Sequence, residues 1–290
     1  MSQPRLRLDR LLSTTVFRPL RRALRAETVR LPVLMYHRIC DDPEAGVSPY
    51  YKVNTSPAVF RQHLRQVTEM GWRTMALAEA AGLLARGEPL PPGRVIITFD
   101  DGFRNFYTDA FPALQERGFG ATVFLPTAFI QGERRAFKGT ECLTWDEVRQ
   151  TRRAGIEYGS HTVNHPELVR LPLAEVEREL RESKDAIEQQ LGEKAPTFAY
   201  PYAFPQSKAE FARALREMLV QAGYTCCATT EIGRVKTGDD PFRLKRLPAN
   251  SLDDAGLFRA KLEGDYDWLR VPQNIFKLRW KMMRLAAFNS

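Results

Sequence analysis

From residue 31 onward, short β-type runs alternate with stretches of helical periodicity, and this alternation narrows the fold more than any other feature. "LPVLMY", "RVIITF", "ATVFL", "IEYGS", "PTFAYP" and "YTCCATT" read as strands. Helical patterns fall between them. "SPAVFRQHLRQVTEM" opens with Ser56 as N-cap and Pro57 at the first helical position, then sets Phe60, Leu64 and Val67 on one stripe. His63 lies beside that stripe and is expected to be exposed or half-buried. A helix is expected from about Phe106 to Arg117, closed by Gly118. "TWDEVRQTRRAG" carries Thr144 and Glu147 at capping-box spacing. "PLAEVERELRESKDAIEQQLG" and "SKAEFARALREMLVQAG" are amphipathic helices. Regular strand–helix alternation implies parallel βαβ units. The number of units suits an α/β fold, a closed or nearly closed (β/α) barrel, in a single domain over residues 31–269. In such barrels the chemistry gathers at the C-terminal ends of the strands.

Charge divides the chain differently. The net charge is +8, but residues 1–30 carry eight arginines against Asp9 and Glu27. Residues 270–290 carry Arg270, Lys277, Arg279, Lys281 and Arg284 with no acid, which leaves the middle mildly acidic. The first segment is a basic N-terminal arm, with Arg18, Arg21, Arg22 and Arg25 on one helical face and Phe17, Leu20 and Leu24 near the other. The second is a basic amphipathic C-terminal tail. Such helices suit the surface of an anionic membrane, or they pack as ordinary helices on the outside of the core. The surface reading is slightly favoured because both ends share the pattern. No nucleic-acid recognition motif accompanies the charge. No run approaches the roughly 20 apolar residues of a membrane span. The N-terminus lacks the apolar core of a signal peptide, and Cys40, Cys142, Cys226 and Cys227 form no disulfide framework. The expectation is a cytoplasmic protein, with peripheral contact at the inner membrane surface as an option.

Three stretches carry chemistry. In "VIITFDDGF", Asp100 and Asp101 directly follow a buried strand, and Gly102 permits a sharp turn. Two carboxylates there repel and pay for desolvation unless a cation compensates; a solvated Asp-Gly turn is the alternative. In "GSHTVNHPEL", His161 and His165 follow another strand, and Pro166 makes this a loop rather than a helical pair. With Asp101 they supply two nitrogens and one oxygen, a set that leaves room for water and substrate as catalytic zinc sites do. In "FAYPYAFP", the proline before Tyr202 can fix the Tyr202 backbone N–H as an oxyanion donor, or the stretch is a plain connecting loop.

TFDDG, then HTxxH, then a later PY element resemble the polysaccharide deacetylase family (NodB-homology, carbohydrate esterase 4) over roughly residues 31–250. The resemblance implies a distorted (β/α) barrel and one divalent metal, Zn²⁺ or another transition metal. It implies hydrolysis of an N-acetyl group on an amino sugar in a polysaccharide or its precursor. It assigns Asp101, His161 and His165 as metal ligands, Asp100 as general base and Tyr202 as oxyanion-hole residue, with Thr162 supporting the histidine loop. Two departures stand out. The arginine that precedes the PY element in many members is replaced by Ala199; Arg246, ahead of Arg243, is the substitute expected to pair with Asp100. The late Leu-x-His motif that supplies a general acid is missing, since no histidine follows His165.

The second departure turns attention to "LPVLMYHRI", where His37 ends a strand. If the barrel closes, the first strand lies beside the last. This looks like the circularly permuted branch of the family, which includes exopolysaccharide deacetylases, and there an early histidine takes the acid role. His37 is then the general acid; otherwise it is a hydrogen-bonded strand-end residue. The implied partners are an N-acetylated amino-sugar polymer or a lipid-linked precursor. A catalytically silent carbohydrate-binding protein on the same fold is the remaining alternative. Residues 41–56 are expected to form a loop over the site, with Tyr50 and Tyr51 available to stack on sugar rings.

Overall fold

The computed structural model describes residues 7–24, 29–271 and 273. Seven parallel strands close a barrel in sequence order: β1 (Val33–Tyr36), β2 (Arg94–Phe99), β3 (Thr122–Leu125), β4 (Glu157–Ser160), β5 (Thr197–Ala199), β6 (Cys226–Ile232) and β7 (Leu244–Pro248). Each pairs with its neighbour in the chain, and β1 closes the ring by pairing with both β2 and β7. A short outer strand, Arg73–Thr74, adds to the edge of β2. The crossovers from β1 to β6 carry helices, as the alternation predicts, whereas the step from β6 to β7 holds only a short strand, Val235–Lys236, and a 3-10 turn, Pro241–Arg243.

Period-two alternation decides which side chains enter the barrel. On β2, Val95, Ile97 and Phe99 join the outer core beneath the helices, whereas Ile96 joins Val33, Phe124, Ala199, Ala228 and Leu244 inside. Adjacent Cys226 and Cys227 split the same way, one inward and one outward, and all four cysteines are free thiols. A helix over Leu77–Ala85 plugs the floor through Leu77, Ala80, Ala81 and Leu84. The strand–helix reading did not anticipate it.

The ring is distorted at one place. Between paired positions β6 advances from Ala228 to Ile232 while β7 advances only from Leu244 to Arg246. This bulge frees the Thr229 carbonyl from the ladder, and Arg246 Nε donates to it at 2.9 Å.

Two helix expectations hold in detail. Ser56 caps Pro57–Glu69, and the Thr144–Glu147 capping box opens Trp145–Arg153. Two others need correction. The segment after β2 begins with a π-turn, Phe106–Ala110, and is α-helical only over Phe111–Gln115. His63 is fully buried. It stacks on Phe258 with ring centroids 3.9 Å apart and takes a 3.0 Å hydrogen bond from the Tyr36 hydroxyl at Nδ1. It donates from Nε2 to the Asp253 carbonyl at 2.9 Å. The physical reason is spacing: His63 sits three residues after Phe60 and four before Val67, within the apolar stripe rather than beside it.

The N-terminal arm is helical over Leu8–Leu24, with a π-turn at Ser13–Phe17. Its arginines face the protein. Arg7 pairs with Asp253 and Arg10 with Asp254, while Arg18 and Arg21 both reach Asp265. Phe17 stacks on Trp268 at 5.0 Å. In the described part of the arm the packed-helix alternative therefore holds for the charged face. Arg25, the Arg22 side chain and most of the C-terminal tail lie outside the described residues. Among the described residues no helix is long and apolar enough to cross a membrane.

Candidate active site

The C-terminal mouth of the barrel encloses about 310 Å³. Parity delivers the first residues to it. Asp100 continues the inward series Ile96 and Thr98, and His37 continues Val33 and Met35. Arg246 shares its face with Leu244. The barrel's closure sets these three side by side. Arg246 grips Asp100 with two hydrogen bonds, Nη1–Oδ1 at 2.6 Å and Nη2–Oδ2 at 2.8 Å, and also donates to Thr98 Oγ1. Its guanidinium lies 5.8 Å from the Phe124 ring centroid, and the residue is 1% exposed. Arg243 instead pairs with Glu231. His37 Nε2 stands 3.9 Å from Asp100 Oδ2. Burial is the largest single influence and would raise the Asp100 pKa, but the Arg246 charge and hydrogen bonds together with His161 and His37 outweigh it and hold the carboxyl below its ordinary range.

Asp101 reaches the mouth by a different route. Alternation would point it outward. Its φ of 71°, followed by Gly102 at 59°, turns it back in. Gly102 is needed there: a Cβ would lie 2.9 Å from Leu125 Cδ2 and 3.0 Å from Ile130 Cδ1.

The histidine loop is held from below. Ser160 Oγ accepts from the Thr162 N–H at 3.1 Å, and Thr162 Oγ1 accepts from the His165 N–H at 2.9 Å. Buried Glu179, on the helix Leu173–Leu191, accepts from the N–H groups of Val163 and Asn164 and from Asn164 Nδ2. The sequence reading missed Glu179. Its signal was a charge on the inward face defined by Val176, Leu180, Ser183 and Ile187.

His161 Nδ1 lies 2.7 Å from the Ala199 carbonyl, so it is the donor and Nε2 carries the free lone pair. That Nε2 is 3.5 Å from Asp101 Oδ1, and His165 Nε2 is 3.1 Å from the same oxygen. Ligand atoms of Asp101, His161 and His165 all lie within 4.8 Å of one another. Asp101 Oδ1 is buried and makes no hydrogen bond. Burial, reinforced by neighbouring His165, pushes His161 down to about 4 and keeps it neutral against the pull of Asp100 and Asp101. Asp101, which burial alone would raise, is held well below the usual carboxylate range by His165 and the other imidazoles. A buried carboxylate oxygen without a hydrogen bond, facing two imidazole nitrogens, fits a divalent cation.

Tyr202 adopts φ 58° at the rim, 46% exposed, with its ring 4.6 Å from that of His165. No hydrogen bond among the described residues engages its backbone N–H. Loop 41–56 reaches the mouth through Val53. Tyr50 and Tyr51 are both exposed, and neither lines the cavity. Two lining residues, Arg38 and Lys138, were not foreseen.

Residues 87–227 match the family model described as polysaccharide deacetylase. A provisionally named polysaccharide deacetylase of Bacillus subtilis (strain 168), YxkH, is 26% identical over 234 residues, covering 81% of this chain and 76% of that protein. The poly-beta-1,6-N-acetyl-D-glucosamine N-deacetylase of Escherichia coli (strain K12) is 30% identical over 141 residues; the match spans 45% of this chain and only 20% of that protein. Among solved structures, the Streptococcus pyogenes deacetylase PplD in complex with acetate superposes with a TM-score of 0.68 at 23% identity, over 81% of this chain and 99% of that one. IcaB from Ammonifex degensii gives 0.67 at 24%, over 80% and 97%. At these identities the structural likeness carries the fold.

Proposed function

We propose, from the match of residues 87–227 to the polysaccharide deacetylase family model, that this chain is a metal-dependent hydrolase releasing acetate from an N-acetylated amino sugar in a polysaccharide or its precursor. The observation that carries the reading is the unpaired Asp101 oxygen among two buried imidazoles, beside an aspartate that an arginine keeps ionised. Asp101, His161 and His165 would hold a divalent ion, which supplies a Lewis acid and a water acidified toward neutral pH. Imidazole with carboxylate suits Zn²⁺ and other divalent transition metals.

The chain's own groups supply the rest. Asp100, ionised by its Arg246 clamp, keeps a second lone pair on each oxygen and takes the proton from the attacking water. The free Tyr202 N–H donates to the oxygen that gains charge. His37, beside Asp100 at the mouth, delivers a proton to the departing nitrogen. Without that proton an amide anion would have to leave, and general acid–base help of this kind is worth about 10²–10⁴-fold.

The test is acetate release from N-acetylglucosamine oligomers by the metal-loaded protein. Asp101→Asn is expected to lose metal and turnover together. His37→Ala is expected to keep metal and lose about 10²–10⁴-fold in kcat. Wild-type protein that binds metal yet releases no acetate from any N-acetylated sugar would leave the carbohydrate-binding alternative in its place.

One observation favours action at a membrane surface, where a lipid-linked sugar would be the substrate. The arm's arginines turn inward, and Leu8, Leu11, Val16 and Leu20 are left exposed on its outer face. Under this reading the protein lies on the cytoplasmic leaflet. Co-sedimentation with anionic vesicles, abolished by Leu8→Ser with Leu20→Ser, supports it; vesicle binding indifferent to those changes removes it.

A further inference from the structure

Among the described residues, six other than glycine have positive φ: Glu44, Asp101, Lys138, Thr162, His165 and Tyr202. L side chains disfavour this backbone, and it persists where the surroundings impose it. Four of the six build the mouth as described. Glu44 is accounted for by its carboxylate, which accepts from the N–H groups of Val53 and Asn54. Lys138 is left. It sits with Gly139 at the tip of an antiparallel hairpin, Ala136–Phe137 against Thr140–Glu141, at φ 49° and 74°. A two-residue turn of this hand ordinarily carries Asn-Gly or Asp-Gly. Lysine has no local reason to be there.

Its side chain points over the site. The Lys138 ammonium lies 4.5 Å from the Phe137 ring centroid and 5.0 Å from that of Tyr202, and both rings pack on His165. Among the described residues it makes no hydrogen bond and no ion pair. The other rim cation, Arg38, is already engaged by Asn54, Asp42 and Thr140, and its bond to Thr140 braces the hairpin. The mouth's carboxylates are committed too, Asp100 to Arg246 and Asp101 among the histidines. One positive charge is thus held at the entrance with aromatic faces behind it and, among the described residues, nothing to neutralise it.

We propose that Lys138 is a specificity-determining residue that binds an anionic substituent, phosphate or carboxylate, on the sugar whose N-acetyl group enters the mouth. This rests on the deacetylase reading, but binding tests it separately. Three sugars serve as probes: neutral N-acetylglucosamine, N-acetylglucosamine 6-phosphate and N-acetylmuramic acid. Lys138→Asn removes the charge and favours the observed backbone, so folding is preserved; Lys138→Arg keeps the charge. Calorimetry on wild-type protein is expected to show roughly tenfold tighter binding of one or both acidic sugars. That preference should be lost in Lys138→Asn, retained in Lys138→Arg and weakened by raised salt. Which acidic sugar gains distinguishes the phosphate from the carboxylate source. Acetate release should show the same ratio through KM. Equal binding of neutral and acidic sugars overturns the proposal, as does a preference that survives Lys138→Asn. If no sugar releases acetate but the Lys138-dependent preference remains, the deacetylase reading fails and the anion site stands.

Discussion

Arg246 is sealed from solvent and Asp100 is nearly buried where it lines the mouth, and neither charge is well tolerated there alone. Arg246→Met is therefore expected to lower the unfolding free energy by about 3–5 kcal/mol, because it leaves a buried carboxylate uncompensated. Urea unfolding measures this, and adding Asp100→Asn should recover part of the loss. A single variant as stable as the parent would mean that the water and imidazoles of the mouth compensate the Asp100 charge without Arg246. The pairing was legible in the sequence to a degree: Ala199 left the aspartate without its usual partner, and Arg243 and Arg246 stood downstream as substitutes; that Arg246 sits at an inward position of a strand only the structure shows. Lys138 was not legible. Nothing in "RRAFKGTEC" says that its hairpin folds over the mouth, since short antiparallel pairs take their direction from what they pack against.

The histidine loop shows how elements hold a site. Its N–H groups converge on the Glu179 carboxylate, reached from the following helix. Glu179→Ala is expected to leave the helix in place and weaken metal binding about 10–100-fold, read by competition with a chelator. Unchanged affinity would assign the loop's order to Ser160 and Thr162 alone. His63 offers a second test. Burial depresses its pKa to about 4, against the 6.5 of a free histidine. The unfolded chain therefore takes up a proton that the folded one refuses. Stability is full above pH 6.5 and falls as the pH drops toward 4, by about 2.5 kcal/mol between pH 7 and 4.5. In denaturant titrations at the two pH values, His63→Phe should flatten this acid limb. An equally steep loss in the variant would place the effect in other groups.

Across the whole molecule, the arm's basicity is spent on the segment that follows the barrel. Arg18 and Arg21 both bind Asp265, whose side chain is fully buried. Asp265→Asn is expected to cost about 2 kcal/mol, or roughly 4–8 °C in Tm; an unchanged melting curve would make the arm an unneeded appendage. The arm's uneven charge was visible in the sequence, but its acidic partners lie some 240 residues away. Only folding shows that the arginines face inward and the leucines outward.

Local periodicity by itself determined the strand–helix alternation, hence the parallel barrel, and it determined the faces. Residues of equal parity on a strand share a side, so Asp100 and His37 were bound to point inward once their strands formed, whereas the strand that carries Arg246 was not read from the sequence. Spacing also marked Asp101, His161 and His165 as a ligand-type set. The tertiary structure decided what periodicity cannot encode. Ring closure set β1 between β2 and β7 and so placed His37 3.9 Å from Asp100. A left-handed turn brought Asp101 in against its parity. A distant hairpin put Lys138 at the entrance. Each of these depends on packing between segments far apart in the chain, and the energy that selects them exists only after those segments meet.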